Sequence, residues 1–310
     1  MKNLPKIAMG AWAWGDTDGY FGNTMTGEEF RPIFEAAVNA GLNLWDTATA
    51  YSNGESEKIL GKLVNDAGRE KIIVSTKFTP QMAGMYGDSV VKICEASLER
   101  MNMEYFDIYW IHNPISAPEY TKQLIPLLQS GKVKSVGVSN HDLAQIKEAD
   151  EILKAAGFRV SAVRNHYSLL NRSSEESGIL DYCKANDIVF YGYMTLEQGA
   201  LSGKYDAEHP LPEGSARAKV FNPMLQQIEV VTAELKKVAE AHGVSAAQIA
   251  TAYAVNKGVL PILGVTKIYQ VEEAVKTADI VLTTEEVASL EESADKSGVS
   301  SIQFWENKME

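Results

Sequence analysis

Short apolar runs, each followed by a helical pattern, recur along this chain at a near-constant spacing, and nothing else in the sequence limits the fold as strongly. The runs cover residues 6–12, 43–46, 71–77, 106–112, 133–140, 159–165, 187–193 and 259–265. Brief β-rich runs bounded by turn residues suit strands buried on both faces of a parallel sheet. Amphipathic helices lie between them. Phe30, Ile33, Phe34, Ala37 and Val38 form an i, i+3, i+4, i+7, i+8 stripe, opened by Thr26-x-x-Glu29 as a capping box and closed by Gly41. Val91, Cys94, Leu98 and Met101 make a second stripe, and Ile228, Val231, Leu235 and Val238 a third. The first seven runs start 26 to 37 residues apart, one strand-plus-helix unit each. Eight such units in 310 residues predict an α/β chain folded as one (β/α)8 TIM barrel over 1–310.

An open doubly wound sheet would announce itself by a G-x-G-x-x-G turn after its first strand, and the chain has none. The last spacing is longer than the others. Between runs seven and eight lies a stretch of roughly 197–223, with Pro210, Pro212 and Pro223 and no clear period. Long loops of this kind in compact domains are often functional, and this one is read as a cover over a ligand.

Composition narrows the function. A 45% hydrophobic and 23% charged chain is globular rather than disordered. No apolar run reaches the ~20 residues of a membrane-spanning helix, and the first residues lack the apolar stretch of a signal peptide. With 29 basic against 41 acidic residues the net charge is −12, which disfavours nucleic acid and anionic membranes as partners. Cys94 and Cys183 cannot build a disulfide scaffold or a cysteine-rich metal site, and they favour a cytoplasmic setting. Oligomeric state leaves no trace in the pattern.

Barrel enzymes carry their chemistry at the carboxyl ends of the strands. Here the second run ends at Asp46 with Tyr51 just beyond, the third at Lys77 and the fourth at His112. The fifth ends at Ser139-Asn140 and the sixth at Asn165. Each alone has a bland reading: a turn carboxylate, a loop aromatic, a solvated charge, a structural histidine. Together they form a proton-transfer group. A tyrosine with pKa ~10 is a poor acid–base catalyst near neutrality unless its phenolate is favoured. An adjacent ammonium favours it, and an aspartate keeps that ammonium charged. A neutral histidine can orient a substrate oxygen. Neither H-E-x-x-H nor G-x-S-x-G is present, so no zinc-protease or serine-nucleophile chemistry is indicated.

These residues carry a family resemblance that runs through nearly the whole chain. The segment from Asn43 to Gly61 resembles the Asp-Thr-Ala-x-x-Tyr-Gly-x-x-Glu signature of the aldo-keto reductase superfamily, with Ser52 in place of the usual glycine. Ser75-Thr-Lys77, Trp110-Ile-His112 and Gly137-Val-Ser-Asn140 follow in the family order. Tyr193 and the stretch from Gly199 to Tyr205 resemble its cofactor loop, and Pro261-Ile-Leu-Gly264 the start of its phosphate-binding stretch.

The resemblance implies a barrel that reduces a small aldehyde or ketone with NADP(H), or alternatively NAD(H). Tyr51 would donate the proton, Asp46 and Lys77 would tune it, and His112 would orient the carbonyl. Ser139, Asn140 and Asn165 would hold the nicotinamide carboxamide, Asn165 standing where the family usually has glutamine. Tyr193 would stack on the nicotinamide, with Gly10, Trp12 and Asp46 nearby. Leu196, Gln198, Leu201, Gly203 and Lys204 would line the pyrophosphate loop, and Gly264, Thr266, Lys267, Gln270 and Glu273 the adenosine end. Arg217 would supply a further cation for a 2′-phosphate. Ala274 replaces an adenine-contacting asparagine. A nucleotide-sensing regulatory subunit on the same barrel is the alternative function, and a Schiff-base aldolase using Lys77 a third.

Smaller readings complete the picture. Trp12, Trp14, Tyr20 and Phe21 are expected to wall a pocket or its rim, with Phe304 and Trp305 weaker candidates. Tyr253-x-x-x-Lys257 mimics the Tyr/Lys pair of short-chain dehydrogenases, but it lies in a helical pattern without a nucleotide turn and is set aside.

Overall fold

The computed structural model describes residues 4–16, 19–303, 305, 306 and 309, so Phe304 lies outside the described residues. Eight parallel strands close on themselves in chain order. They are β1 Ala8–Gly10, β2 Leu44–Asp46, β3 Ile73–Phe78, β4 Phe106–Ile111, β5 Val133–Ser139, β6 Ala162–His166, β7 Val189–Tyr193 and β8 Leu260–Gly264. Every one falls inside or across a run read from the sequence. Around them lie α1 Arg31–Asn39, α2 Glu55–Ala67, α3 Val90–Met101, α4 Ala117–Lys122, α5 Leu124–Gln129, α6 Leu143–Lys154 and α7 Ser173–Glu176. The ring continues through α8 Ile179–Ala185, α9 Ala216–Phe221, α10 Leu225–His242, α11 Ala246–Asn256, α12 Ile268–Thr277 and α13 Thr284–Ser297.

Strand side chains alternate in and out, so one set fills the barrel and the other meets the helices. The inner set is Ala8, Leu44, Ile108, Trp110, Ala162, Tyr191, Leu260 and Ile262. Trp110 occupies so much of the interior that only glycine fits beside it: a Cβ at Gly137 would run into its ring. The Thr26/Glu29 box opens a 3₁₀ turn that leads into α1, the Thr26 amide donating to Glu29 Oε2 at 2.7 Å.

Glu57 fastens the α2 side of the barrel. It is fully buried on α2, accepts from Thr76 Oγ1 on β3 at 2.6 Å, and pairs with Arg100 on α3. A buried carboxylate is tolerated because several donors satisfy it.

One expectation changes in detail. The 197–223 stretch is not structureless, since Glu197–Ser202 forms a 3₁₀ turn and Ala216–Phe221 a short helix. Its period was hidden because Gln198 (φ 54°) and Gly199 (φ 106°) break the turn. Tyr253 on α11 and Lys257, which caps that helix's C-terminus, share a structural job, both donating to Glu291 Oε1 of α13, at 2.8 and 3.0 Å. No described helix is long and apolar enough to cross a membrane.

Candidate active site

A cleft of about 510 Å³ opens at the carboxyl ends of the strands. Asp46 and Tyr51 stand at one end; Thr266, Lys267, Gln270 and Glu273 line the other. Tyr51 reaches its place through a sharp turn after β2, in which Ser52, Asn53 and Gly54 all take left-handed backbone angles. Ser52 (φ 49°) therefore bears strain where a glycine would bear none.

Beneath Tyr51 lies a buried ion pair. Lys77, fully buried, donates from Nζ to Asp46 Oδ2 at 2.6 Å and also to the Thr47 carbonyl. Asp46 Oδ1 takes a second hydrogen bond from Ser75 Oγ at 2.6 Å, and Ser75 in turn accepts from the indole N–H of Trp110 at 2.6 Å. The ammonium sits 4.7 Å from the centroid of the Tyr51 ring, over its face. Burial pulls the Lys77 pKa down to about 7 against the opposing charge of Asp46. Such an amine, enclosed and already bonded, is not presented to a carbonyl carbon, which argues against the aldolase reading.

His112 stands 6.0 Å from Tyr51, ring to ring and edge-on. Its Nδ1 pairs with Thr79 Oγ1 at 2.9 Å, which fixes the ring and leaves Nε2 unengaged by this contact. Desolvation, with the charges of Lys77 and Arg164, holds its pKa well below the usual 6.5, so the ring is neutral at physiological pH.

Arg164, absent from the sequence reading, completes the group. It is buried on the inner face of β6, donating from Nη2 to Tyr51 Oη at 3.3 Å and from Nη1 to Ser139 Oγ at 3.1 Å. Its guanidinium lies 4.4 Å from the centroid of the Tyr193 ring, and its Nε is 3.9 Å from Asp46 Oδ2.

Asn165 requires a correction. One residue along the strand it points the other way, and its Nδ2 donates to the His141 carbonyl at 3.0 Å and to Ser174 Oγ at 3.2 Å. It does not line the cleft and is not placed to hold a carboxamide; the cleft-facing position of β6 is Arg164. Strand alternation is the signal that would have found it, because Arg164 shares the parity of the interior Ala162.

Ser139 and Asn140 likewise stand behind the cleft wall. Ser139 anchors Arg164, while Asn140 Oδ1 lies 2.5 Å from the Tyr193 hydroxyl. Leu201 is fully buried, and neither it nor Gly203 lines the cleft. Gly10, Trp12, Tyr193, Leu196, Gln198, Lys204, Arg217 and Gly264 do line it. Trp12 stacks on Tyr51 with ring centroids 5.7 Å apart and meets Phe21 edge-on at 5.0 Å and Trp305 at 6.0 Å.

The remaining lining fits a phosphate-bearing dinucleotide. Lys204, Arg217 and Lys267 gather three cations against a net negative protein. Arg217 Nη1 donates to the Gln198 carbonyl at 3.0 Å, while Arg217 Nε and Gln198 Oε1 are buried without a partner. Elsewhere in the lining, a Cβ on Gly264 would enter open space. Orphaned buried donors and acceptors facing a cleft are groups that a ligand would satisfy. At the far end Gln270 Oε1 accepts from the Thr266 and Lys267 amides at 2.8 and 3.0 Å.

Behind Tyr193 lies a second charged group. His166 is sandwiched between Glu197 Oε1 and Glu306 Oε2, each at 2.8 Å, and stacks on Tyr193. Burial opposes its charge, but the two carboxylates outweigh burial and raise its pKa to about 10. The stabilisation from this triad is whole below the ordinary 6.5 and is lost as pH climbs through about 10. Histidine NMR should then show His166 still protonated at about pH 8, and His112 and His141 still neutral at about pH 6. His141 is buried and held at about 4. A neutral His166 at about pH 8 would exclude the triad as an ion cluster.

The sequence model of the Aldo/keto reductase family matches residues 6–295. The chain belongs to the aldo/keto reductase family. A chloroplastic pyridoxal reductase from Arabidopsis thaliana is 30% identical, the match covering 97% of this chain and 86% of that protein. An aldo-keto reductase from Schizosaccharomyces pombe, named with NADP(+), is 27% identical over 89% of this chain and 86% of its own length. Among solved structures, a glycerol dehydrogenase from Gluconobacter oxydans superposes with a TM-score of 0.80 at 25% identity, covering 94% of this chain and 92% of that one. As an aldo/keto reductase, the chain is a nicotinamide-dependent oxidoreductase acting on small carbonyl compounds.

Proposed function

We propose that this aldo/keto reductase reduces an aldehyde or ketone with Tyr51 as the proton donor and NADP(H) as the cofactor. The observation that carries the assignment is the buried Asp46–Lys77 pair set under the Tyr51 ring at the head of the cleft. When bound, the cofactor supplies hydride from nicotinamide C4 to the carbonyl carbon. Tyr51 Oη gives its proton to the carbonyl oxygen, and neutral His112 hydrogen-bonds that oxygen and aims it. Trp12 and Phe21 line the cleft, with Trp305 packed against Trp12; they exclude water around the reacting carbonyl and suit a planar, apolar substituent.

Tyr193 walls the nicotinamide end, Leu196, Gln198 and Lys204 follow the pyrophosphate, and Thr266, Lys267 and Arg217 take the 2′-phosphate. The name of the Schizosaccharomyces relative supports NADP(H). NAD(H) is the second reading, because Gln270 already occupies two amides at the adenosine end and Glu273 adds a negative charge there. A reducing cytoplasm suits the buried free thiols of Cys94 and Cys183.

The direct test is cofactor oxidation by the purified protein with a panel of activated aromatic aldehydes, including pyridoxal. Turnover with NADPH exceeding that with NADH is expected. No turnover with either cofactor, alongside tight nucleotide binding, would reverse the assignment in favour of a nucleotide sensor.

A further inference from the structure

We propose that Arg164 is the positioning residue for proton transfer at Tyr51, fixing the hydroxyl before transfer and holding the phenolate afterwards; this rests on Tyr51 being the proton donor. The hydrogen bond that Tyr51 Oη accepts comes from Arg164 Nη2, at 3.3 Å. Lys77 is spent elsewhere. Its ammonium faces Asp46 and the Thr47 carbonyl and meets Tyr51 through the ring face, 4.7 Å from the centroid. The charge at the oxygen itself is therefore the guanidinium.

Its placement is determined from three sides. Ser139 Oγ on β5 takes Nη1, the Tyr193 ring on β7 supports the guanidinium plane, and Asp46 on β2 draws Nε. A planar guanidinium held this way stays charged at any working pH, unlike a buried ammonium. The other titratable groups around the hydroxyl are Asp46 on β2, Lys77 on β3 and His112 after β4.

The proton balance gives this contact its leverage. In carbonyl reduction the Tyr51 O–H bond breaks, a new O–H bond forms on the substrate oxygen, and the electron pair stays on Tyr51 Oη. The Arg164 hydrogen bond changes at that moment from a guanidinium bond to a neutral hydroxyl into one between guanidinium and phenolate, in which both partners are charged and which is the stronger. It therefore stabilises the transition state more than the ground state. In alcohol oxidation the same bond favours the phenolate that must accept the proton.

The experiment compares full-length wild type, Arg164→Gln, Arg164→Lys and Tyr51→Phe, each checked for folding by circular dichroism. kcat is measured against pH in both directions, and NADPH affinity by fluorescence titration. Arg164→Gln should lower kcat about 10- to 100-fold at saturating cofactor. Without the guanidinium the phenolate is less favoured, so the rising limb for alcohol oxidation should move to higher pH. Arg164→Lys should recover part of the rate and part of the shift. An unmoved limb in a folded Arg164→Gln enzyme overturns the proposal, whatever happens to the rate, and so does a limb in Arg164→Lys shifted as far as in Arg164→Gln. So does a loss of NADPH affinity with kcat intact, which would make Arg164 a cofactor contact only. A Tyr51→Phe enzyme that stays active would instead overturn the reading of Tyr51 itself.

Discussion

Tyr51→Phe should lower kcat by about three orders of magnitude or more while leaving the barrel folded and nucleotide binding intact. The substitution removes one oxygen and nothing else from the head of the cleft. The Phe ring keeps the stack on Trp12, whose centroid is 5.7 Å away, and keeps the face over the Lys77 ammonium. Arg164 loses one hydrogen bond but retains Ser139 and the Tyr193 face, so the stability cost is on the order of 1 kcal/mol. The chemical loss is of another size, because among the described residues no other group at the head of the cleft can supply the proton in the right state. His112 is held neutral and is assigned to the oxygen as a donor, and Lys77 is engaged by Asp46. Steady-state rates at saturating NADPH, with a parallel fluorescence titration, separate the two effects. Activity within tenfold of wild type would remove Tyr51 from the proton-donor role.

The parts of this molecule that were legible in the sequence are those specified by local pattern. Eight apolar runs became eight strands because a strand buried on both faces has to be apolar along its length. Asp46, Lys77 and His112 stood out because a polar residue ending such a run sits at the barrel mouth. Alignment by resemblance slipped where the pattern is two-sided. Asn165 and Arg164 are neighbours on β6, and only the strand's alternation tells that the arginine faces the cleft and the asparagine the helices. A charged residue inside a strand invites an outward assignment; here it is buried because Tyr51, Ser139 and Tyr193 surround it from three other segments. The Glu197–His166–Glu306 triad was invisible for a different reason. Its members lie 31 and 140 residues from the histidine, and no periodicity links positions so far apart.

Lys77→Met is the substitution expected to damage stability most, and its pairing with Asp46→Asn separates stability from catalysis. Removing the ammonium leaves the Asp46 carboxylate buried with Ser75 Oγ–H and a guanidinium nitrogen 3.9 Å away. Breaking a buried ion pair from one side costs about 3–5 kcal/mol, since the remaining charge is uncompensated. The methionine fills the same space, so lost volume contributes little. Asp46→Asn alone leaves the ammonium with the Thr47 carbonyl and an amide, and burial then drives its pKa below the present value of about 7. The double variant removes both charges together and keeps the Trp110–Ser75 chain leading to residue 46. It should recover to within about 1–2 kcal/mol of wild type, so that the loss in the double variant is smaller than the sum of the two single losses in the cycle. Catalysis should not recover, because Tyr51 then lacks the positive field under its ring. Chemical denaturation of the four proteins, with kcat for each, tests both halves. A double variant as unstable as Lys77→Met would show that residues 46 and 77 are not an electrostatic unit. Recovery of stability together with rate would move the tuning of Tyr51 from Lys77 to Arg164 alone.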